Sequence, residues 1–106
     1  MTPRVSIAMP VRDAQASLDE CMDSVLAQSE TSFELLAVDD GSSDASRVML
    51  EEHARGDARV RVLETTAGAR GIVPALNLAL MAARAPLLAR MDADDRMHAE
   101  RLARQA

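Results

Sequence analysis

The sequence has no lysine, no tryptophan and no tyrosine, with one phenylalanine and one cysteine in 106 residues. Each absence removes a kind of chemistry. A P-loop needs Gly-Lys-Ser/Thr to reach its phosphates, and there is no Lys to supply it. The late Lys of a receiver domain is missing too, which weighs against that fold. The lone Cys21 cannot form an internal disulfide. It falls on the apolar face of a predicted helix and reads as a small buried hydrophobe. Phe33 is the only aromatic, so this segment offers no aromatic platform for a base or sugar ring. No apolar stretch is long enough to span a bilayer, and the N-terminus lacks a signal-peptide pattern. These two absences lead to the expectation of a soluble, cytoplasmic domain. The net charge of −5 argues against non-specific nucleic-acid binding, which rests on basic patches. All twelve basic residues are Arg, as in the coding bias of a GC-rich genome.

The length suits one domain or part of one. The 48% apolar content supports a modest core. Along the chain, short apolar runs alternate with helical periods. "VSIAM" (Val5 to Met9), bounded by Pro10, predicts a strand. Asp13 is placed to cap the next helix, in which Leu18, Cys21, Met22, Val25 and Leu26 form one apolar stripe. "FELLAVD" (Phe33 to Asp39) predicts a second strand. After the turn "DGSSD", Ser43 or Asp44 is placed to cap a helix to about Arg55. "VRVLE" (Val60 to Glu64) predicts a third, half-exposed strand, and "TTAGARG" a loop. "IVPALNLALMAAR" (Ile72 to Arg84) predicts a helix, apolar nearly all round and therefore well buried, with Pro74 tolerable in its first turn. "LLARM" predicts a fourth strand and "MHAERLARQ" the start of another helix.

This βαβαβαβα order implies a parallel sheet with helices on both faces, joined by right-handed crossovers. The expected architecture is a Rossmann-like three-layer α/β/α domain of strand order 3-2-1-4. Ligands of such sheets bind beyond the carboxyl ends of the strands, where strand order reverses.

Two predicted strands end in carboxylates there: "ARMDADD" carries Asp92, Asp94 and Asp95, and "VDDGSSD" carries Asp39 and Asp40. Clustered carboxylates repel unless a cation sits among them. Mg²⁺ or Mn²⁺ takes oxygen ligands, usually one or two carboxylates plus phosphate oxygens. A D-x-D at a strand end suits that, one side chain reaching a metal and the other a hydroxyl. The plainer alternative is an acidic helix N-terminus favoured by the dipole. Asp39 and Asp40 could accept hydrogen bonds from a base N–H or a ribose hydroxyl, or could simply shape a turn.

Other motifs fail on specifics. "PVRDAQ" stands where a dinucleotide fold has G-x-G-x-x-G. Met97 stands where an EF-hand counted from Asp92 needs Gly. His53 and His98 are isolated and read as surface residues.

Taken together, "VSIAMPVRD", "FELLAVDDGSSD", "GARGIVPALNLAL" and "ARMDADDRMHAERLARQ" resemble, in order and spacing, the family 2 glycosyltransferases of the GT-A fold. The resemblance covers essentially the whole chain, and the ordered set is far more specific than any one motif. It implies a nucleotide-diphosphate-sugar donor, a UDP-sugar foremost, a divalent Mn²⁺ or Mg²⁺, and inverting transfer to an acceptor hydroxyl. The acceptor would be a saccharide or a lipid-linked molecule, as in bacterial polysaccharide biosynthesis.

By matching position, Pro10, Val11 and Arg12 would lie beside the base. Asp40 would hydrogen-bond the base, with Asp39 supporting that loop, and Arg70 would reach the base or a phosphate. Asp92 and Asp94 would form the D-x-D, one on ribose and one on the metal, with Asp95 an alternative ligand. Arg90 would steady these carboxylates or form a structural ion pair. Three departures stand out. Arg12-Asp13 replaces the usual aromatic-Asn pair, Leu76 rather than Arg precedes Asn77, and the chain stops soon after the D-x-D.

Residues 1–106 are therefore expected to be one nucleotide-sugar-binding domain, the N-terminal part of a longer glycosyltransferase domain. The catalytic base would lie outside this chain, which alone would transfer little. Membrane association would arise only from missing regions, and an apolar face left by the missing half could support a homodimer. The alternatives are a sugar-nucleotide nucleotidyltransferase, which would want a basic glycine-rich loop after the first strand, and a non-catalytic α/β interaction domain.

Overall fold

The structure is a computed structural model and describes residues 3–28 and 32–93. Its elements are β1 (Val5–Val11), α1 (Gln15–Leu26), β2 (Phe33–Asp39), α2 (Ser46–Gly56), β3 (Val60–Glu64), α3 (Ile72–Ala82) and β4 (Leu87–Arg90). The helix expected in "MHAERLARQ" lies outside the described residues. The four strands form one sheet of order β3-β2-β1-β4, and every pairing is parallel. The expected architecture and strand order are thus met.

Side-chain alternation sorts the strands between two cores. Val5, Ile7, Met9 and Val11 of β1 and Phe33, Leu35 and Ala37 of β2 join Leu18, Cys21, Met22 and Val25 of α1 and Leu50 of α2. Ala8, Leu36 and Val38 point to the other face, where Ala75 and Ala79 of α3 cover them. Both central strands are buried on both faces, which is why they read as apolar runs broken within only by Ser6 and Glu34. The Cys21 side chain is buried, with Sγ 3.7 Å from the Met9 sulfur.

Three sequence expectations are corrected. Pro10 does not end β1, which runs on to Val11. The Ala8 carbonyl accepts a bond from Met91 N–H, so Pro10, two residues on, also faces β4. It lies past the last β4 pair, Ala8 with Arg90, where no N–H is needed.

Asp13 does not cap α1, and Ser43 does not cap α2; Asp44 stands one residue before the Ncap, yet its Oδ1 accepts the first helical N–H of α2, from Ser46, at 2.9 Å, as the sequence suggested. The Ncap residues are Ala14 and Ala45. The capping groups are exchanged between the two loops, as described below.

Finally, α3 ends at Ala82 and is not well buried. Only Ala75 and Ala79 are fully covered, while Ile72, Val73, Leu80 and Met81 are exposed. Alanines at i and i+4 set the helix close against the sheet, with Leu76 and Leu78 packed half-buried beside them and Ile72, Val73, Leu80 and Met81 turned outward.

Candidate active site

Parallel pairing places the carboxyl ends of all four strands on one edge. Val11 is level with Asp39, and Asp39 with Glu64. On the other side of β1, Ala8 is level with Arg90, so Asp92 follows beside Pro10. The sequence-predicted residues Pro10, Val11, Arg12, Asp39, Asp40 and Asp92 are therefore brought to one edge, and a loop carries Arg70 to them. Asp94 and Asp95 lie outside the described residues.

A cleft of about 330 Å³ opens there, lined by Pro10, Arg12, Asp13, Ala14, Ala16, Ser17, Asp92 and Ala93. Its floor after β4 is fastened to α1. The Ser17 hydroxyl donates to the Ala93 carbonyl at 3.2 Å, and Cys21 Sγ lies 3.6 Å from the Asp92 carbonyl. The Asp92 side chain stays half exposed, with Oδ1 3.2 Å from Arg90 Nη2. Arg90 thus forms the ion pair left open in the sequence.

Asp39 and Asp40 behave differently from Asp92. Both are buried. Asp40 Oδ1 accepts bonds from the Thr65 hydroxyl at 2.9 Å and from Gly71 N–H at 2.8 Å. It therefore ties the end of β2 to the loop that carries Arg70. Asp39 Oδ1 accepts from Ser42 N–H at 3.2 Å, and Oδ2 is 3.8 Å from Arg47 Nη1. Arg47 also pairs with Glu51 and Glu64.

Gly41 has φ +80°, and a Cβ built there would sit 2.6 Å from Arg70 Nε. The missing side chain is what lets the Arg70 side chain lie across the β2 loop beside Asp40.

The loops after β1 and β2 cap each other's helices. Asp13 Oδ1 accepts from Ser43 N–H at 2.6 Å and Asp44 N–H at 3.3 Å, and Gln15 Oε1 accepts from Ala45 N–H at 3.2 Å. In return Ser42 Oγ accepts from Asp13 N–H, Ser46 Oγ from Ala14 N–H and Asp44 Oδ2 from Gln15 N–H. The Ala14 and Gln15 N–H groups at the start of α1 and the Ala45 N–H at the start of α2 are bonded across a gap of about thirty residues in sequence, while the Ser46 N–H that opens α2 is bonded locally by Asp44 Oδ1 at 2.9 Å. The Ser46 hydroxyl and N–H beside Asp44 hold its carboxyl below the usual range.

Sequence reasoning missed Asp13, Ser42 and Thr65 as parts of this edge. Asp13 alone carried a signal: it is one of the few residue types that tolerates its φ of +49°.

A larger groove of about 530 Å³ runs between α1 and α2, lined by Asp19, Asp23, Glu52, His53 and Asp57 among others. His53 Nε2 sits 3.0 Å from Asp19 Oδ1. Four carboxylates make it repellent to an anionic ligand. Among the described residues no group of three acidic, His or Cys side chains is arranged to hold a metal. Asp92 by itself is a hard oxygen donor with an open side, and that fits Mn²⁺ or Mg²⁺, which take few protein carboxylates.

Residues 6–106 match the family model described as "Glycosyl transferase family 2". The chain belongs to this family. Among its relatives, the Bacillus subtilis (strain 168) "Uncharacterized glycosyltransferase EpsJ" is 37% identical over 95 residues, which is 90% of this chain and 27% of EpsJ. The Escherichia coli "UDP-Glc:alpha-D-GlcNAc-diphosphoundecaprenol beta-1,3-glucosyltransferase WfgD" is 38% identical, covering 95% of this chain and 39% of WfgD.

Solved glycosyltransferases share the fold. S. aureus TarS 1–349 in complex with UDP superposes with a TM-score of 0.80 at 27% identity, over 96% of this chain and 30% of that one. The mannosyltransferase PcManGT from Pyrobaculum calidifontis, in complex with GDP-Man and Mn²⁺, gives 0.78 at 26% identity, over 89% and 28%. The four-stranded 3-2-1-4 sheet is that of GT-A glycosyltransferases. The chain spans about a quarter to two fifths of the length of these relatives.

Proposed function

We propose that this family 2 chain is the donor-binding part of a glycosyltransferase that binds a nucleotide-diphosphate sugar, a UDP-sugar foremost, at the carboxyl edge of its sheet. The supporting observation is that Arg12 and Asp92 line one cleft, at the same carboxyl edge where Asp40 is tied to the loop that carries Arg70. Pro10 forms the wall beside the base, and Val11, expected there too, is instead buried in the core behind it. Arg12 and Arg70 present planar guanidinium groups where the chain has no aromatic, and such planes stack on bases and bind phosphate. Asp40, fixed by Thr65 and Gly71, keeps lone pairs for a base N–H, and Asp39 braces the same loop.

Asp92 would hold the ribose or, with Asp94 or Asp95, the divalent cation. When bound, that cation supplies Lewis-acid stabilisation of the departing diphosphate. Arg90, paired to Asp92, sets the direction of that carboxylate. Transfer is read as inverting, to a saccharide or lipid-linked acceptor hydroxyl, with the general base contributed from outside these residues. The WfgD name, with its diphosphoundecaprenol acceptor, and the UDP held by TarS support the donor and acceptor classes.

Calorimetric titration of UDP with Mn²⁺, repeated in EDTA and with GDP, tests this reading. Metal-dependent heat with UDP is the expected result. Absence of binding to either nucleotide, in chain shown to be folded, would overturn it.

A further inference from the structure

The exchange of caps between the first two loops has a focus in Asp13. Its φ of +49° is strained for a residue with a side chain. Such strain persists only where surrounding contacts fix it. Here one oxygen, Oδ1, collects Ser43 N–H, the Ser43 hydroxyl and Asp44 N–H at 2.6, 3.2 and 3.3 Å, while Asp13 N–H is taken by Ser42 Oγ at 3.0 Å. Arg12 precedes this left-handed turn, is exposed, and lines the same cleft as Asp92. The turn therefore sets the direction in which Arg12 leaves the sheet. The bonds to the second loop fix that direction relative to Asp39 and Asp40.

We propose that Asp13 is a positioning residue for the donor: its carboxylate fastens the β2 loop to the end of β1 and so holds Arg12 over the nucleotide. This rests on the nucleotide-binding reading above. A merely structural cap would stabilise the fold without acting through Arg12. The distinguishing measurement is a double-mutant cycle in UDP affinity with Mn²⁺, made on the full chain alongside thermal unfolding.

Asp13→Gly keeps the positive φ and removes the carboxylate. It is expected to weaken UDP by about tenfold. Adding Arg12→Ala to it should cost at most about threefold more, although Arg12→Ala alone costs about tenfold, because the two act as a unit. Additive losses, or no loss in Asp13→Gly, would overturn the proposal.

If Asp13→Gly does not fold, Asp13→Asn decides. It keeps an acceptor oxygen and tolerates the turn, so affinity within about threefold of the parent supports positioning by geometry. A loss of tenfold or more would overturn it, since charge rather than placement would then be what matters. If the unaltered chain binds neither UDP nor GDP, the nucleotide reading itself fails, a result separate from any of these.

Discussion

Two carboxylates at opposite ends of the sheet, Glu34 and Asp92, are held in opposite ways. At the amino end, Glu34 lies in the second position of β2, 2% exposed, and every contact around it is made. It accepts bonds from the Ser6 hydroxyl at 2.6 Å, from Arg61 Nη1 at 2.8 Å and from Arg84 N–H at 2.7 Å. Ser6 Oγ in turn accepts Ala85 N–H, and Arg61 also donates to the Ala82 carbonyl that ends α3. One carboxylate thus ties β1, β2, β3, the end of α3 and the approach to β4.

At the carboxyl end, Asp92 and Arg90 are both half exposed, and Arg12 and Arg70 project from loops. A buried charge with all its partners is architecture. Half-solvated charges of both signs around a cleft are available to a ligand. Phe33 makes the same point: the only aromatic sits at the amino end under the Arg59 guanidinium, 4.5 Å from its centroid, far from any base.

The contrast is broken most severely by Glu34→Ala. It removes the shared acceptor of Ser6, Arg61 and Arg84 and leaves the buried Ser6 hydroxyl without it; because both arginines are partly exposed, the loss is that of charged hydrogen bonds, about 1.5–3 kcal/mol. For a domain this size that is at least about 6 °C in midpoint, readable by thermal unfolding. The pH dependence follows from the same network. Burial works against the Glu34 charge, but the Ser6 hydroxyl, the Arg84 N–H and the two arginines outweigh it and hold its pKa at about 2, from an ordinary 4.5. The folded state therefore binds the proton less readily than the unfolded chain. The stabilisation is fully present above about pH 4.5 and is lost as pH falls towards 2. Unfolding free energy measured between those limits should fall steeply in the parent chain and much less in Glu34→Gln.

Asp92→Asn sharpens the contrast from the other end. Its exposed ion pair with Arg90 contributes little to folding, so stability should stay within about 0.5 kcal/mol. Metal-linked UDP affinity should fall by at least about tenfold, or about 1.4 kcal/mol. A stability loss like that of Glu34→Ala, with binding intact, would erase the distinction between the two ends.

Gly41→Ala lies between these cases. The φ of +80° and the collision with Arg70 make it costly in both respects. About 1–2 kcal/mol of stability is expected to go, together with several-fold weaker UDP binding as Arg70 is pushed off its seat. Denaturant midpoints and calorimetry on the same sample check the two effects.

What the sequence revealed follows the range of the forces involved. The bounds of β2 and β3 and the 3-2-1-4 order came from apolar runs, helical periods and crossover handedness, all local or nearly universal. The acidic strand ends were legible for the same reason, because the sheet rule gathers them wherever the helices lie. Capping was legible only in part: Asp44 does hold the Ser46 N–H that opens α2. A local rule assigns Asp13 to the helix that follows it, whereas its partners are thirty residues away. Pro10 misled in a similar way, since its tolerance depends on where β4 stops pairing. Thr65 looked like any loop residue, and only the fold brings it to Asp40.

The smallest expected effect concerns α3, where sequence and structure differ most. A helix apolar on every side predicts that each apolar side chain matters. In the structure Ala79 is completely covered by the sheet while Met81 is 84% exposed. Met81→Gln removes almost no buried surface and replaces one good helix former with another, so the change should lie within about 0.5 kcal/mol. Ala79→Leu inserts three heavy atoms between α3 and the sheet, where Leu36 and Val38 leave no room, and overpacking of this kind costs about 1–3 kcal/mol. Equal costs for the two, measured by denaturant midpoint, would mean that the exposed face of α3 is covered in solution. The wide gap expected here means that the helix is seated through Ala75 and Ala79, flanked by Leu76 and Leu78, and not through its exposed side chains such as Met81.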